Sequence, residues 1–476
     1  MKGGKFAYGA AGILPHFSAK KTIFVAVDYR LGFDGFLSSH DPEIAGNYGL
    51  EDVIFGLEFV KRNAKHFGGD PERITIGGES VGGSLAGLAA ASPRSKGLIS
   101  GVMMFSGTSL TNWAVRSNFT KGNSEKIIAH CNCTHSDPKI VKGCMKMKSP
   151  TCYRSNLWLV KWDFLWDSPE RLMFEILRMG FTLATPVRDD FRENGLLPGD
   201  IMELIRRNHR NISILISHVA HERATALKHT VWPSGFPASY YVNALVYSHG
   251  PSVGAVRKVM RDRYTPLGDV YGPSETTNLL TQLMQDDFTA DGEAEAKIYA
   301  ENGADVHVIL NDVFDEPTGG PNMSLVSEHC MDMVFLFNEP HVCNPLLVVS
   351  DMMLQRGIAF GNKLADIVAN FTHRGVIPTV QRYSESNMAV KRFSYQNEEV
   401  SMSSAENFYF WRQLIPTLER MNVTLPEAIP TCPPPVHGWP IHSFAFLASL
   451  LMLNIIIFGA FCISRLRVRS QEPLKK

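Results

Sequence analysis

Ile74-Thr75-Ile76-Gly77-Gly78-Glu79-Ser80-Val81-Gly82-Gly83 constrains this chain more than any other stretch. A short β-branched run ends in Gly-x-Ser-x-Gly and passes directly into the small-residue segment Ser84-Leu85-Ala86-Gly87-Leu88-Ala89-Ala90. That order is the sequence form of a nucleophile elbow, a sharp strand-to-helix turn with a serine at its tip. A serine hydroxyl is a weak nucleophile near pH 7 and must stand clear where a base can reach it. Flanking glycines permit the strained turn, and the helix N-terminus offers backbone N–H groups to a developing oxyanion.

The surrounding sequence reads as α/β. Val25-Ala26-Val27 predicts a buried strand, and Leu50 to Lys65 carries Val53, Ile54, Leu57 and Val60 at helical spacing before the turn Phe67-Gly68-Gly69-Asp70-Pro71. Gly101-Val102-Met103-Met104-Phe105-Ser106-Gly107 predicts another buried strand, ending where such folds place active-site loops. Residues 150–210 and 225–300 mix helical patterns with irregular connections and read as helical insertions over the mouth of the sheet. With 476 residues, 45% of them hydrophobic, the chain can bury a large single core. Lys and Arg together number 47, as do Asp and Glu, so the balance of charge gives no reason to expect a nucleic-acid partner.

The C-terminal region has a different character. Phe444 to Ser464 contains no charge, is long enough to cross a bilayer as a helix, and is followed by Arg465, Arg467, Arg469, Lys475 and Lys476. The one-sided basic flank predicts a cytoplasmic tail (465–476) and an extracellular or luminal ectodomain (1–425). A Pro-rich stalk (426–443) joins the ectodomain to the membrane helix (444–464). Six Asn-x-Ser/Thr sequons, at Asn118, Asn132, Asn211, Asn322, Asn370 and Asn422, all fall on the predicted luminal side. No apolar run follows Met1-Lys2-Gly3-Gly4-Lys5, so either the membrane helix doubles as the targeting signal or the start of the protein lies upstream. Eight cysteines fit an oxidising compartment: Cys131, Cys133, Cys144 and Cys152 are clustered, Cys330 and Cys343 form a looser pair, and Cys432 and Cys462 lie in the stalk and membrane helix. Their spacing resembles no zinc site, and no metal is expected.

Several separate motifs, in order along the chain, together resemble the type-B carboxylesterase/cholinesterase family. Gly3-Gly4-Lys5-Phe6 resembles its oxyanion loop, and Asp28-Tyr29-Arg30-Leu31-Gly32 with Gly35-Phe36-Leu37-Ser38 the segment that follows. Gly46-Asn47-Tyr48-Gly49-Leu50, Phe67-Gly68-Gly69-Asp70-Pro71 and the Ser80 elbow match closely, and the resemblance runs from about residue 1 to about residue 415. It implies an α/β-hydrolase fold, a central mostly parallel sheet flanked by helices. It also implies that the fold's N-terminal strands are missing from this chain, which begins inside the oxyanion loop.

The resemblance further implies a Ser, Glu, His triad in that chain order. Leu215-Ile216-Ser217-His218-Val219-Ala220-His221-Glu222 is similar to the segment that delivers the family's acid, making Glu222 the orienting carboxylate. Ser327-Glu328-His329-Cys330-Met331-Asp332-Met333-Val334-Phe335-Leu336-Phe337 resembles the histidine loop, making His329 the general base. Gly3, Gly4 and Val81 are the implied oxyanion donors, Glu79 a supporting carboxylate, and Cys133 with Cys144 the family's second disulfide loop. Trp113 resembles a family position of structural as much as catalytic use. No cofactor is implied, and the substrate would be a small carboxylic ester.

Two departures keep a second reading open. Lys5 replaces the last glycine of the oxyanion loop, and Val81 stands where alanine is usual. Each keeps its N–H but brings a side chain to a crowded spot, where loss of one donor costs on the order of a hundredfold in rate. The alternative is a neuroligin-like adhesion or receptor ectodomain, which leaves room for a homodimer or a protein ligand.

Overall fold

The computed structural model describes residues 12–154, 184–208, 212–222, 238–245, 252–268, 270–313, 327–339, 351–394, 398–402 and 404–421. Among these, six strands form one sheet in the order β1 (Thr75–Glu79), β2 (Gly101–Phe105), β3 (Ser213–Val219), β4 (Asp305–Asp312), β5 (Ala389–Ser394) and β6 (Glu398–Met402). Strands β1 to β5 are parallel, and β6 returns antiparallel against β5. Each parallel step requires a crossover connection, and helices supply it: Val81–Ala91 after β1, Pro273–Glu301 before β4 and Asp351–Arg374 before β5.

Alternation of side chains along the central strands divides the interior in two. Val102, Met104, Ile214 and Ile216 turn to a core shared with Leu50, Ile54 and Leu57 of the helix Tyr48–Asn63 and with Leu85 and Leu88 of the elbow helix. Met103, Phe105, Leu215 and Ile309 turn to the other face and meet Phe335, Phe360 and Leu364 from the helices Met331–Phe337 and Asp351–Arg374. Strands covered on both faces read as near-continuous apolar runs, as β2 and the Ile214-Leu215-Ile216 stretch of β3 do. The result is a mixed α/β sheet with helices on both faces, consistent with the α/β-hydrolase fold.

Two expectations from sequence are corrected. Val25 and Val27 are not in a buried strand: residues 21–31 run without strand pairing, and the two valines are 51% and 40% exposed. A β-branched run supplies propensity, but a strand needs a ladder partner, and among the described residues β1 is the margin of the sheet. Nor are residues 150–210 and 225–300 wholly insertions over the sheet. Leu196, Leu197, Ile201, Leu204 and Ile205 enter the main core, as do Ala296, Ile298 and Tyr299 from the C-terminal half of Pro273–Glu301. That helix is the β3-to-β4 crossover itself.

The stalk, the segment 444–464 and the basic tail lie outside the described residues. Among the described residues no helix is long and apolar enough to cross a membrane.

Candidate active site

The elbow has the strain that its sequence asks for. Ser80 sits at φ +55°, ψ −120°, a conformation rarely open to L-residues, between the end of β1 and the first turn of Val81–Ala91. Its N–H is held by Phe105 O at 2.7 Å, which ties the turn to the end of β2. A Cβ on Gly78 would lie 2.3 Å from the Gly82 carbonyl carbon, so only glycine fits there. Gly82, the motif's second glycine, has open space instead. The N–H groups of the first helical turn lack intrahelical acceptors, and that of Val81 is the first of them. The Val81 side chain packs against the main core and against a third cluster that contains Trp113, Phe288, Phe410 and Trp411.

Chain topology brings the other two residues to the same point. The turn after β3 is stitched first to β4 and then to the histidine loop: Ala220 N donates to Asn311 O at 3.0 Å and His221 N to Ser327 O at 2.9 Å. His221 and Glu328 pair as an isolated parallel bridge, placing Glu222 and His329 side by side. His329 Nδ1 lies 2.6 Å from Glu222 Oε2, and His329 Nε2 lies 2.9 Å from Ser80 Oγ. Glu222 is fully buried, while His329 retains 19% side-chain exposure at the site mouth. A carboxylate on Nδ1 and a hydroxyl on Nε2 is the arrangement that holds an imidazole in one tautomer facing a nucleophile.

Around this line stand groups that sequence identified only in part. Glu79 Oε1 comes within 3.3 Å of His329 Nε2. Burial pushes the Glu79 carboxyl up to about 7, opposed by His329 and reinforced by the charges of Asp332 and Glu222. Asp332, also fully buried, is pushed up to about 6 by burial despite a 2.9 Å hydrogen bond from Asn311 Nδ2, which also donates to Ser217 Oγ. His218, two places before the acid turn, is held neutral by burial, down to about 4. Gln285 and Phe288 touch Glu222 and His329 respectively, and sequence reasoning passed over both. They lie within a helical pattern whose docking position no local signal reveals.

The remaining candidates divide by location. Gly3 and Gly4, with Lys5, lie outside the described residues, as do Asn211, Asn322 and Asn422. Asn118 and Asn132 are exposed, whereas Asn370 is half-buried inside the helix Asp351–Arg374. Cys133 is joined to Cys144, and a second disulfide, Cys131–Cys152, encloses that loop. Cys330 is disulfide-bonded as well. Among the described residues no group of three or more His, Cys, Asp or Glu is arranged to hold a metal ion.

Comparison with known proteins agrees with this architecture. The profile of the Carboxylesterase family matches residues 1–409. The chain belongs to the carboxylesterase family. Among its relatives in that family, bile salt-activated lipase of Bos taurus is 40% identical over 131 residues, 27% of this chain and 21% of that protein. Neuroligin-2 of Mus musculus is 40% identical over 127 residues, 27% of this chain and 15% of its own length. Cocaine esterase of Homo sapiens is 34% identical over 153 residues, 31% of this chain and 27% of that protein. The matched segment thus spans less than a third of each relative.

Proposed function

We propose that this carboxylesterase-family chain is a serine carboxylic-ester hydrolase that works through an acyl-enzyme intermediate. The observation that carries the reading is the continuous line from Glu222 Oε2 through the His329 ring to Ser80 Oγ, with contacts of 2.6 and 2.9 Å. Ser80 Oγ attacks the ester carbonyl as His329 Nε2 takes its proton, and the resulting imidazolium is held by Glu222. His329 then protonates the leaving alcohol. Water, deprotonated by the same nitrogen, attacks the acyl-enzyme; the acyl–Oγ bond breaks as His329 Nε2 returns the proton to Ser80 Oγ, and the acid is released. The Val81 N–H meets the oxyanion, with Gly3 and Gly4 as its proposed companions. Hydrolysis of a p-nitrophenyl acyl ester tests this: the wild-type protein turns it over and Ser80→Ala does not.

A second reading, a binding ectodomain of the neuroligin kind, is supported by the similarity to neuroligin-2 and by the added bulk at Val81. It predicts a folded protein without turnover that captures a protein ligand or a second copy. For either reading we propose a single-pass membrane protein anchored by 444–464, with domain 1–425 extracellular or luminal and carrying glycans. Glycopeptide mapping should find Asn118 and Asn132 occupied and Asn370 bare, since a half-buried position inside a helix leaves no room for a sugar.

A further inference from the structure

We propose that one turn of the long helix Pro273–Glu301, from Gln285 to Phe288, is a positioning clamp for the two triad members that arrive late in the chain. Gln285 holds the turn of Glu222, and Phe288 holds the ring of His329. The proposal rests on the triad reading above and adds two residues that act through Glu222 and His329.

Glu222 is where the chain leaves the sheet. The N–H groups of Ala220 and His221 still find carbonyls in neighbouring segments, but that of Glu222 donates to Gln285 Oε1 at 3.0 Å. Since the partner is a donor, the amide oxygen of Gln285 must face it. Gln285 Nε2 is buried and meets no acceptor among the described residues, so this side chain is kept for its oxygen. One helical step further, at i+3 and therefore on the same face, the Phe288 ring lies edge-on against His329, with centroids 5.7 Å apart and planes at 67°. Phe288 is only 4% exposed and packs in the cluster of Trp113, Leu283, Met284 and Phe410. The helix is itself immobilised by Ala296, Ile298 and Tyr299 in the main core. Both contacts therefore refer Glu222 and His329 to one rigid element, and the 2.6 Å distance between them depends on it.

Four variants separate positioning from bulk structure. Gln285→Met keeps length and loses the acceptor, whereas Gln285→Glu keeps an oxygen. Phe288→Leu loses the ring, whereas Phe288→Tyr keeps it. On a p-nitrophenyl ester, Gln285→Met and Phe288→Leu should each lower kcat roughly ten- to hundredfold with KM little changed, as misplacement of a catalytic group does. Gln285→Glu and Phe288→Tyr should recover most of the rate. The double variant should lose less than the product of the single losses, because both act on the same Glu222–His329 contact. The His329 imidazole signal, observed in protein with 13C-labelled histidines and assigned with His329→Gln, should be single in the wild type and broadened or split in both damaging variants. That readout needs no turnover: an inactive wild type would defeat the triad reading, while a sharp, unmoved His329 signal in Gln285→Met and Phe288→Leu would defeat the clamp. Unchanged kcat in an active enzyme, or losses matched by KM and by Tm, would overturn it equally.

Discussion

Glu79 Oε1 lies 3.3 Å from His329 Nε2, the ring nitrogen that also meets Ser80 Oγ at 2.9 Å. One imidazole nitrogen therefore faces both a nucleophile and a buried carboxyl whose affinity for a proton has been raised to about 7. The carboxyl adjoins the nucleophile in sequence and lies across from it at the base.

Glu79 makes a pH-dependent contribution to stability with a definite sign. Between the ordinary carboxyl value of 4.5 and the folded value of about 7, the folded protein holds a proton that the unfolded chain has lost. Stability must then fall as pH rises through that window. Glu79→Gln should remove this share, on the order of 3 kcal/mol between pH 5 and pH 8. Urea titrations at the two pH values measure it. A flatter dependence in Glu79→Gln is expected, and parallel curves for the two proteins would contradict the assignment.

Glu222→Gln keeps the shape of the side chain but allows its amide to face Nδ1 as a donor, which favours the wrong imidazole tautomer. The loss in kcat should be on the order of a thousandfold or more, with KM far less affected. Steady-state kinetics on a p-nitrophenyl ester decide it. A loss below about tenfold would mean that Glu222 does not orient the base.

Two glycines near the elbow should respond in opposite ways to the same change. A Cβ on Gly107 would lie 2.1 Å from the Ser80 carbonyl oxygen, so Gly107→Ala must displace the elbow, at a cost of about 2 to 3 kcal/mol and most of the activity. Gly82 has nothing within 4 Å of such a Cβ and lies in the first turn of a helix. There Gly82→Ala should be neutral or stabilising by up to about 1 kcal/mol. Thermal melts of both variants test this, and equal destabilisation would contradict the geometry. The glycine outside the motif is then the more constrained of the two.

These residues also mark what the sequence makes legible. The Ser80 elbow can be read directly because its constraint is local: a strand, a strained residue and a helix succeed one another within a few positions. Glu222 and His329 are 107 residues apart, and His329 is 249 from Ser80, so their meeting depends on strand order and on the His221–Ser327 bond. Only resemblance to a family carries that information. Gln285 and Phe288 were beyond both routes, since a glutamine and a phenylalanine in a helix do not announce which loop they will meet. The strand expected at Val25 has the complementary cause, a strong local preference with no pairing neighbour among the described residues.

The most direct test of the central claim is covalent labelling of Ser80. Purified wild-type protein treated with a fluorophosphonate and analysed by peptide mass spectrometry should carry one phosphonyl adduct on Ser80, absent from Ser80→Ala and strongly slowed in His329→Gln. A folded wild-type protein that remains unmodified would contradict a working Ser80–His329–Glu222 triad and favour the binding ectodomain.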